Sequence, residues 1–428
     1  MNLYRSVFAL TLLFSLAGMT AQAADWPQYL GPDRTGIANE KGLARTWPEG
    51  GPKELWKITV GEGYAGAAIR DGEVYVLDRV EDKTDILRCL SLADGKELWN
   101  YTYTAEGKYG HNGSRTPPTV DEKYVYSVGL MGDLVCVDRK SHQLVWQKNL
   151  IKEFNGTPPN WGVGQSPLLY KKLVIVNAQG PDAGVAAYDR VTGDLVWKSP
   201  RIGLPGYASP SIATLGGVEQ LLAMGASNRD KTELGSTVGI SLEDGSILWK
   251  YENWQCWIPI PNPTPLGDDK LLISGGYGAG SAIIQVTKGA SGFDVKELKV
   301  LDADTCGSQI HQPIVYKDHI YINNNSNEKT NGLSCFTLDG TLKWKTTDLP
   351  DAPQFDRGSL IIADDLIIAL DAKSGIVYLV EPSPDGYKQL AQAPVVEGRE
   401  LFGPLALSDG KLLVRSQDTL KCLDLKKS

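Results

Sequence analysis

Short alternating apolar and polar runs, each broken by a turn, cover almost the whole chain. AAIRDGEVYVLD (67–78), PTVDEKYVYSVG (118–129), PLLYKKLVIVNA (167–178) and PSIATLGGVEQLLAMG (210–225) each read as two apolar segments around a polar turn. PTPLGDDKLLISGG (263–276), PIVYKDHIYINN (313–324), SLIIADDLIIALD (359–371) and PLALSDGKLLVRS (404–416) continue the series. A period of two, rich in aromatic and β-branched residues and interrupted by Asp-Gly, Lys-Lys or Asp-Asp, predicts β-hairpins. Helical periodicity is almost absent.

A second phrase follows the hairpins: a small residue, a turn, then a Trp. It reads CLSLADGKELW (89–99), CVDRKSHQLVW (136–146), AYDRVTGDLVW (187–197), GISLEDGSILW (239–249) and, one residue shorter, CFTLDGTLKW (335–344). Each phrase adds a third and a fourth strand, so the unit is a four-stranded antiparallel sheet recurring at a period in the forties. Eight such units predict an all-β fold, an eight-bladed β-propeller. The last unit stops at CLDLKK without its Trp, whereas PKELWKITV (52–60) carries an orphan Trp56 ahead of the first. The N-terminal strand at 53–60 is therefore expected to complete the last blade and leave no unpaired edge. Two copies are degenerate: FDVKELKV (293–300) lacks the Trp, and PSPDGYKQL (382–390) carries Tyr387 in its stead, so a seven-bladed count with one insertion stays open. The recurring tryptophans are expected to pack between blades, away from any ligand.

The same alignment sorts the cysteines. Cys89, Cys136, Cys335 and Cys422 occupy the small-residue position and read as buried core residues in separate blades. Cys256 and Cys306 fall between phrases and are the only disulfide candidate, with two free thiols the equal alternative. Residues 1–23 read as a secretory leader, with Arg5, the apolar stretch Val7 to Leu16 and Ala21-Gln22-Ala23. The division is then a leader (1–23), an N-terminal segment (24–52) and a propeller (53–428). Without a Cys soon after the apolar stretch no lipid anchor is expected, so the mature chain is read as periplasmic or secreted, monomeric and without a direct membrane anchor. Net charge is −8, and −9 once Arg5 leaves with the leader. Lys and Arg are scattered, which argues against a nucleic-acid partner.

The phrase A-x-D-x-x-T-G-x-x-x-W at Ala187 to Trp197 resembles the tryptophan-docking repeat of pyrroloquinoline-quinone (PQQ) type propellers. The resemblance covers about residues 53–428. DWPQYLGPDRTG (25–36) and LVEPSPDGYKQL (379–390) are similar to phrases of the secreted, planctomycete-type PQQ-like members. Two better-understood relatives imply opposite functions. Quinoprotein alcohol dehydrogenases carry a quinone and a calcium ion on the ring axis, which would make PQQ and Ca²⁺ the cofactors. The BamB lipoprotein is a cofactor-free scaffold of outer-membrane assembly. This chain lacks the adjacent Cys-Cys pair of the dehydrogenases, any C-x-x-C-H haem motif, and the lipidated Cys of BamB.

Loops leading into the innermost strands converge on the channel of a propeller. They bring Tyr64, His111, Arg115, Trp161, Gln165, Tyr207, Ser209, Trp254, Gln255, Trp257, Gln309, His311, Asp356, Arg357, Glu400 and Phe402. Tyr64, Arg115, Trp161, Tyr207, Trp254, Trp257, Gln309, His311 and Arg357 are the ligand-binding candidates. For a quinone reaction, Trp254 or Trp257 would stack on the ring and Arg115 or Arg357 would stabilise oxyanion charge. Asp356, or Glu400 second, would take the alcohol proton. Alternatively Arg357 pairs with Asp356 or Glu400 and the tryptophans plug the channel. His311, without a second histidine, is weak as a metal ligand, and no metal site is assigned. The favoured expectation is a non-catalytic binding or scaffold protein of the cell envelope, taking a protein, glycan or small molecule at the channel face. A PQQ-dependent alcohol or sugar dehydrogenase is the alternative, and hydrolysis by Asp356 with Glu400 a weaker third.

Overall fold

The computed structural model describes residues 25–427 apart from Glu328, so the leader expected over 1–23 lies outside the described residues. Their strands form eight sheets, arranged as an eight-bladed β-propeller. Blades one to seven occupy 68–104, 119–149, 168–198, 211–251, 264–301, 314–345 and 360–394. Blade eight combines Ala406–Ser408, Lys411–Arg415 and Thr419–Asp424 with Lys53–Thr59 as its fourth strand, Trp56 opposite Cys422. The ring closes as the orphan tryptophan predicts. Arg415 reinforces that closure: fully buried, it donates to the carbonyls of Gly61, Ala65 and Leu77 beside and within blade one.

Period-two alternation builds the core in layers between neighbouring blades. In the strand Leu173–Gly180, Val174, Val176 and Ala178 face blade two, while Leu173 and Ile175 face blade four. Cys89, Cys136, Cys335 and Cys422 are buried within such layers.

Blades diverge with distance from the axis, and the repeated Trp fills the resulting wedge. In all eight blades the ladder between third and fourth strands shifts register at this position, for example after Ala187↔Trp197. Such a bulge adds local twist and re-aims a side chain. Except for Trp249, whose N–H turns back to Gln220 of its own blade, the indole then lies on the turn between third and fourth strands of the next blade. A Cβ on Gly193 (φ +73°) would sit 2.7 Å from Trp146, and one on Gly245 (φ +77°) 2.6 Å from Trp197. The indole N–H donates to the same turn: Trp56 to Leu92 O at 2.9 Å, Trp146 to Arg190 O and Trp197 to Leu242 O, both at 3.2 Å.

Three blades depart from the phrase. In blade two His142 (φ +60°) takes the glycine position and stacks on Trp99, ring centroids 4.9 Å apart and 14° between planes. In blade five register puts Lys299 opposite Ile283, and its ammonium donates to Gly340 O of the next turn at 3.1 Å. In blade seven the position belongs to Ala391, opposite Leu379, and not to Tyr387. Tyr387 precedes the strand and packs on Trp344 and Phe355.

The Cys256–Cys306 disulfide is not formed. Cys256 belongs to the layer between blades four and five, with Leu271 and Ile273. Cys306 belongs to the layer between blades five and six, with Leu272 and Ile283. Alternate residues of a strand face opposite sides, so the sheet of blade five separates the two sulfurs.

The N-terminal segment crosses the channel. Trp26 bridges to Ile69 of blade one, and Arg34 donates to the carbonyls of Ser166 and Pro167 at blade three. Ile37–Ala38 adds a parallel strand beside Leu360–Ala363, the innermost strand of blade seven.

Gly193→Ala should lower unfolding free energy by about 2 kcal/mol or more, from the left-handed backbone plus overpacking on Trp146. His142→Gly, where a side chain already fits, should change it by about 1 kcal/mol or less. Urea denaturation of both variants checks the contrast; equal effects would refute the docking account.

Candidate functional site

The loops into the innermost strands and the turns between second and third strands share one face of the ring. Together they enclose a cavity of about 650 Å³. Tyr29 of the crossing segment also lines it, so the cavity is a cup with a floor. Of the sequence-derived candidates, Tyr64, Arg115, Trp161, Tyr207, Trp257, Gln309, His311, Arg357 and Glu400 line it. Two candidates do not.

Trp254 is buried in the layer between blades four and five, against Gly275, and its N–H faces Gly280 O at 3.4 Å. Its loop turns it into the core, and Trp257 alone of the pair reaches the cup. Asp356 lies outside the lining and binds Arg357 Nε at 2.8 Å.

The wall near blades one and two is a set of stacked cations and rings. The Arg115 guanidinium lies 4.9 Å from the Tyr64 ring centroid, and its Nε donates to Trp161 O at 2.7 Å. Burial pulls its pKa below the usual guanidinium range. Tyr64 stacks on Phe402 at 6.3 Å, and Arg357 lies 5.3 Å from the same Phe402 ring. Glu400 Oε2 sits 3.2 Å from His111 Nδ1 and 3.5 Å from the Tyr64 hydroxyl. Burial first, then the Glu400 charge, pushes the Tyr64 phenol up.

The opposite wall is aromatic. Trp161 lies 5.8 Å from Tyr207 and 6.4 Å from Tyr277, and Tyr277 lies 5.2 Å from Trp257. Tyr207 accepts from Trp161 N at 2.8 Å, and burial pushes its phenol far above the usual range. Gln309 donates to the Tyr277 hydroxyl at 2.8 Å and accepts from Arg357 at 3.4 Å. His311 is buried, and with no charge nearby to offset desolvation its imidazole falls to about 3. It is neutral at physiological pH and its Nε2 has no partner among the described residues.

Arg229, Lys231, Tyr277 and Tyr29 were not candidates from sequence. The first three lie on second-to-third-strand turns, outside the loops that lead into the innermost strands. Tyr277 in GGYGAG, a bulky residue between glycines, was the available signal. Tyr277 (φ +56°), Arg357 (φ +28°) and Glu400 (φ +53°) are held in the left-handed region at the cup, each at a cost of about 1–3 kcal/mol.

Among the described residues the lining carries Arg115, Arg229, Lys231 and Arg357 against Glu400, in a chain whose net charge is −8. The cup is therefore a basic, aromatic recess in an acidic protein. Among the described residues no three His, Cys, Asp or Glu converge as a metal cluster. Nor is any helix among them long and apolar enough to cross a membrane.

Residues 82–290 match the family model described as outer membrane protein assembly factor BamB. This agrees with the PQQ-repeat resemblance carried by the tryptophan phrase. Among solved structures, BamB from Moraxella catarrhalis is 15% identical, with a TM-score of 0.57 over 87% of this chain and 99% of that one. Quinohemoprotein alcohol dehydrogenase from Comamonas testosteroni is 13% identical, with a TM-score of 0.63 over 95% and 81%. A europium-containing methanol dehydrogenase is also 13% identical, with a TM-score of 0.63 over 94% and 89%. At these identities the likeness is one of fold. No curated protein sequence matches.

The His311 environment predicts a pH dependence. The unfolded chain takes up this proton below about pH 6.5, whereas the folded one holds it off until about 3. Stability is therefore present above pH 6.5 and lost as pH falls through that window. His311→Gln should flatten the stability curve there by up to about 1.4 kcal/mol per pH unit. Parallel curves for variant and wild type in chemical denaturation would refute it.

Proposed function

We propose that this chain is an exported, non-catalytic binding protein of the cell envelope, whose channel cup holds a ligand or the tip of a partner. The observation that carries the reading is the state of the polar groups in and beside the cup. Asp356 is committed to Arg357, Glu400 to His111 and Tyr64, and His311 is buried and neutral. The two carboxylates that would serve as bases thus act as struts, and what remains open to a ligand is aromatic and cationic surface. The leader-like stretch at 1–23 and the match of 82–290 to an envelope assembly factor support the location.

The dehydrogenase reading asks more of the cup than its residues supply. Calcium takes about six to eight oxygen ligands, and Glu400 is the single carboxylate among the described lining residues. All six cysteines are buried and none lines the cup, so no sulfur pair faces a quinone there. PQQ and Ca²⁺ do not fit this donor set.

Thermal melts of the purified mature protein against fractionated envelope extract test the reading. At least one fraction should raise the wild-type melting temperature, by mass action, and leave Trp161→Ala unshifted relative to its own baseline. Dye-linked oxidation of an alcohol or sugar in the presence of PQQ and Ca²⁺ should show no turnover. Turnover, or the absence of any stabilising fraction, would overturn the proposal.

A further inference from the structure

Packing of the ring leaves three features of the cup, on its blade three to six side, unexplained. The first is the shape of the aromatic wall. Trp161, Tyr277 and Trp257 follow one another as tilted neighbours, at 34° and then 62° between planes, in place of two parallel plates facing each other. The second is a pair of exposed cations. Arg229 overhangs the Trp257 ring at 5.4 Å, and neither it nor Lys231 has a carboxylate partner among the described residues. The third is a pair of orphaned polar atoms. Ser227 Oγ and His311 Nε2 belong to buried side chains of the lining and lack hydrogen-bond partners.

One ligand chemistry meets all three. A flat aromatic ligand is best held between parallel rings, whereas a pyranose offers one C–H face to a single aromatic wall. Its hydroxyls both donate and accept, as Ser227 and a neutral imidazole do, so either tautomer of His311 finds a partner. A carboxylate or sulfate on the sugar would satisfy Arg229 and Lys231 by charge-assisted hydrogen bonds. We infer that the cup binds an acidic saccharide, with a sugar ring against Tyr277 and Trp257 and its anionic group at the Arg229–Lys231 turn. The inference rests on the cup being a ligand site, as proposed above, and names the class of that ligand.

Titration calorimetry with three probes of equal length tests it: a galacturonate tetramer, a sulfated galactose tetramer and a neutral galactose tetramer. At least one acidic tetramer should bind about tenfold or more tightly than the neutral one, and which does so tells carboxylate from sulfate. Its affinity should fall with added salt. The double variant R229Q/K231Q, on an exposed turn, should bring acidic binding down to the neutral level, and Trp257→Ala should weaken all saccharide binding about tenfold. Equal affinity for acidic and neutral tetramers, or unchanged acidic binding by R229Q/K231Q, would overturn the inference. Failure of every tetramer, while an envelope fraction still stabilises the protein, would overturn this assignment alone. Failure of both would remove the ligand site as well.

Discussion

The ring depends on a planar side chain lying flat on the turn of the next blade, which at Gly95, Gly193 and Gly245 has no room for a Cβ. Sheets radiating from an axis separate as they go outward, and something must fill the wedge or the outer strands lose their packing. An indole does so with area to spare, and its N–H satisfies a carbonyl of the turn it covers. Blades that depart from the phrase show the requirement to be geometric. His142 meets Trp99 ring to ring, and Lys299 substitutes an aliphatic stem and an ammonium. Where blade seven offers only Ala391, Trp47 from the N-terminal segment packs against the same layer.

This explains which parts of the molecule were legible in the sequence. The wedge recurs with every blade, so its filler recurs too, and blade number, closure by Trp56 and the burial of four cysteines follow from one periodicity. Positions outside the repeat carry no such redundancy. Trp254 and Trp257 are three residues apart in one loop, yet one enters the core and the other the cup, by a local chain path that no pattern encodes. Tyr387 looked like a repeat tryptophan because it follows a Gly turn, but strand register assigned that position to Ala391. The disulfide failed for a related reason: closeness in sequence between consecutive repeats says nothing about which face of the intervening sheet each sulfur occupies.

Scaffold and site also differ in how they hold strain. Repeat turns mostly place glycine or Asp where the backbone becomes left-handed, with Lys171, Lys317 and His142 as other occupants, whereas the cup places Lys231, Tyr277, Arg357 and Glu400 there. Large functional groups in that conformation persist because rigid blades hold both ends of each loop. Loops can therefore vary while the ring stays constant, which is how propellers of similar shape come to include both an assembly factor and alcohol dehydrogenases.

Closure by Lys53–Thr59 has a kinetic side. The fourth strand of blade eight is among the first parts of the ring to emerge during synthesis, and its partner, Thr419–Asp424, is among the last. Until then one blade is a strand short and Arg415 has not reached the carbonyls it seals. Pairing across so long a separation makes the final step a slow search, during which an apolar strand edge stands exposed. The ring is thus a structure whose completion waits on its two ends meeting, and aggregation competes with that meeting.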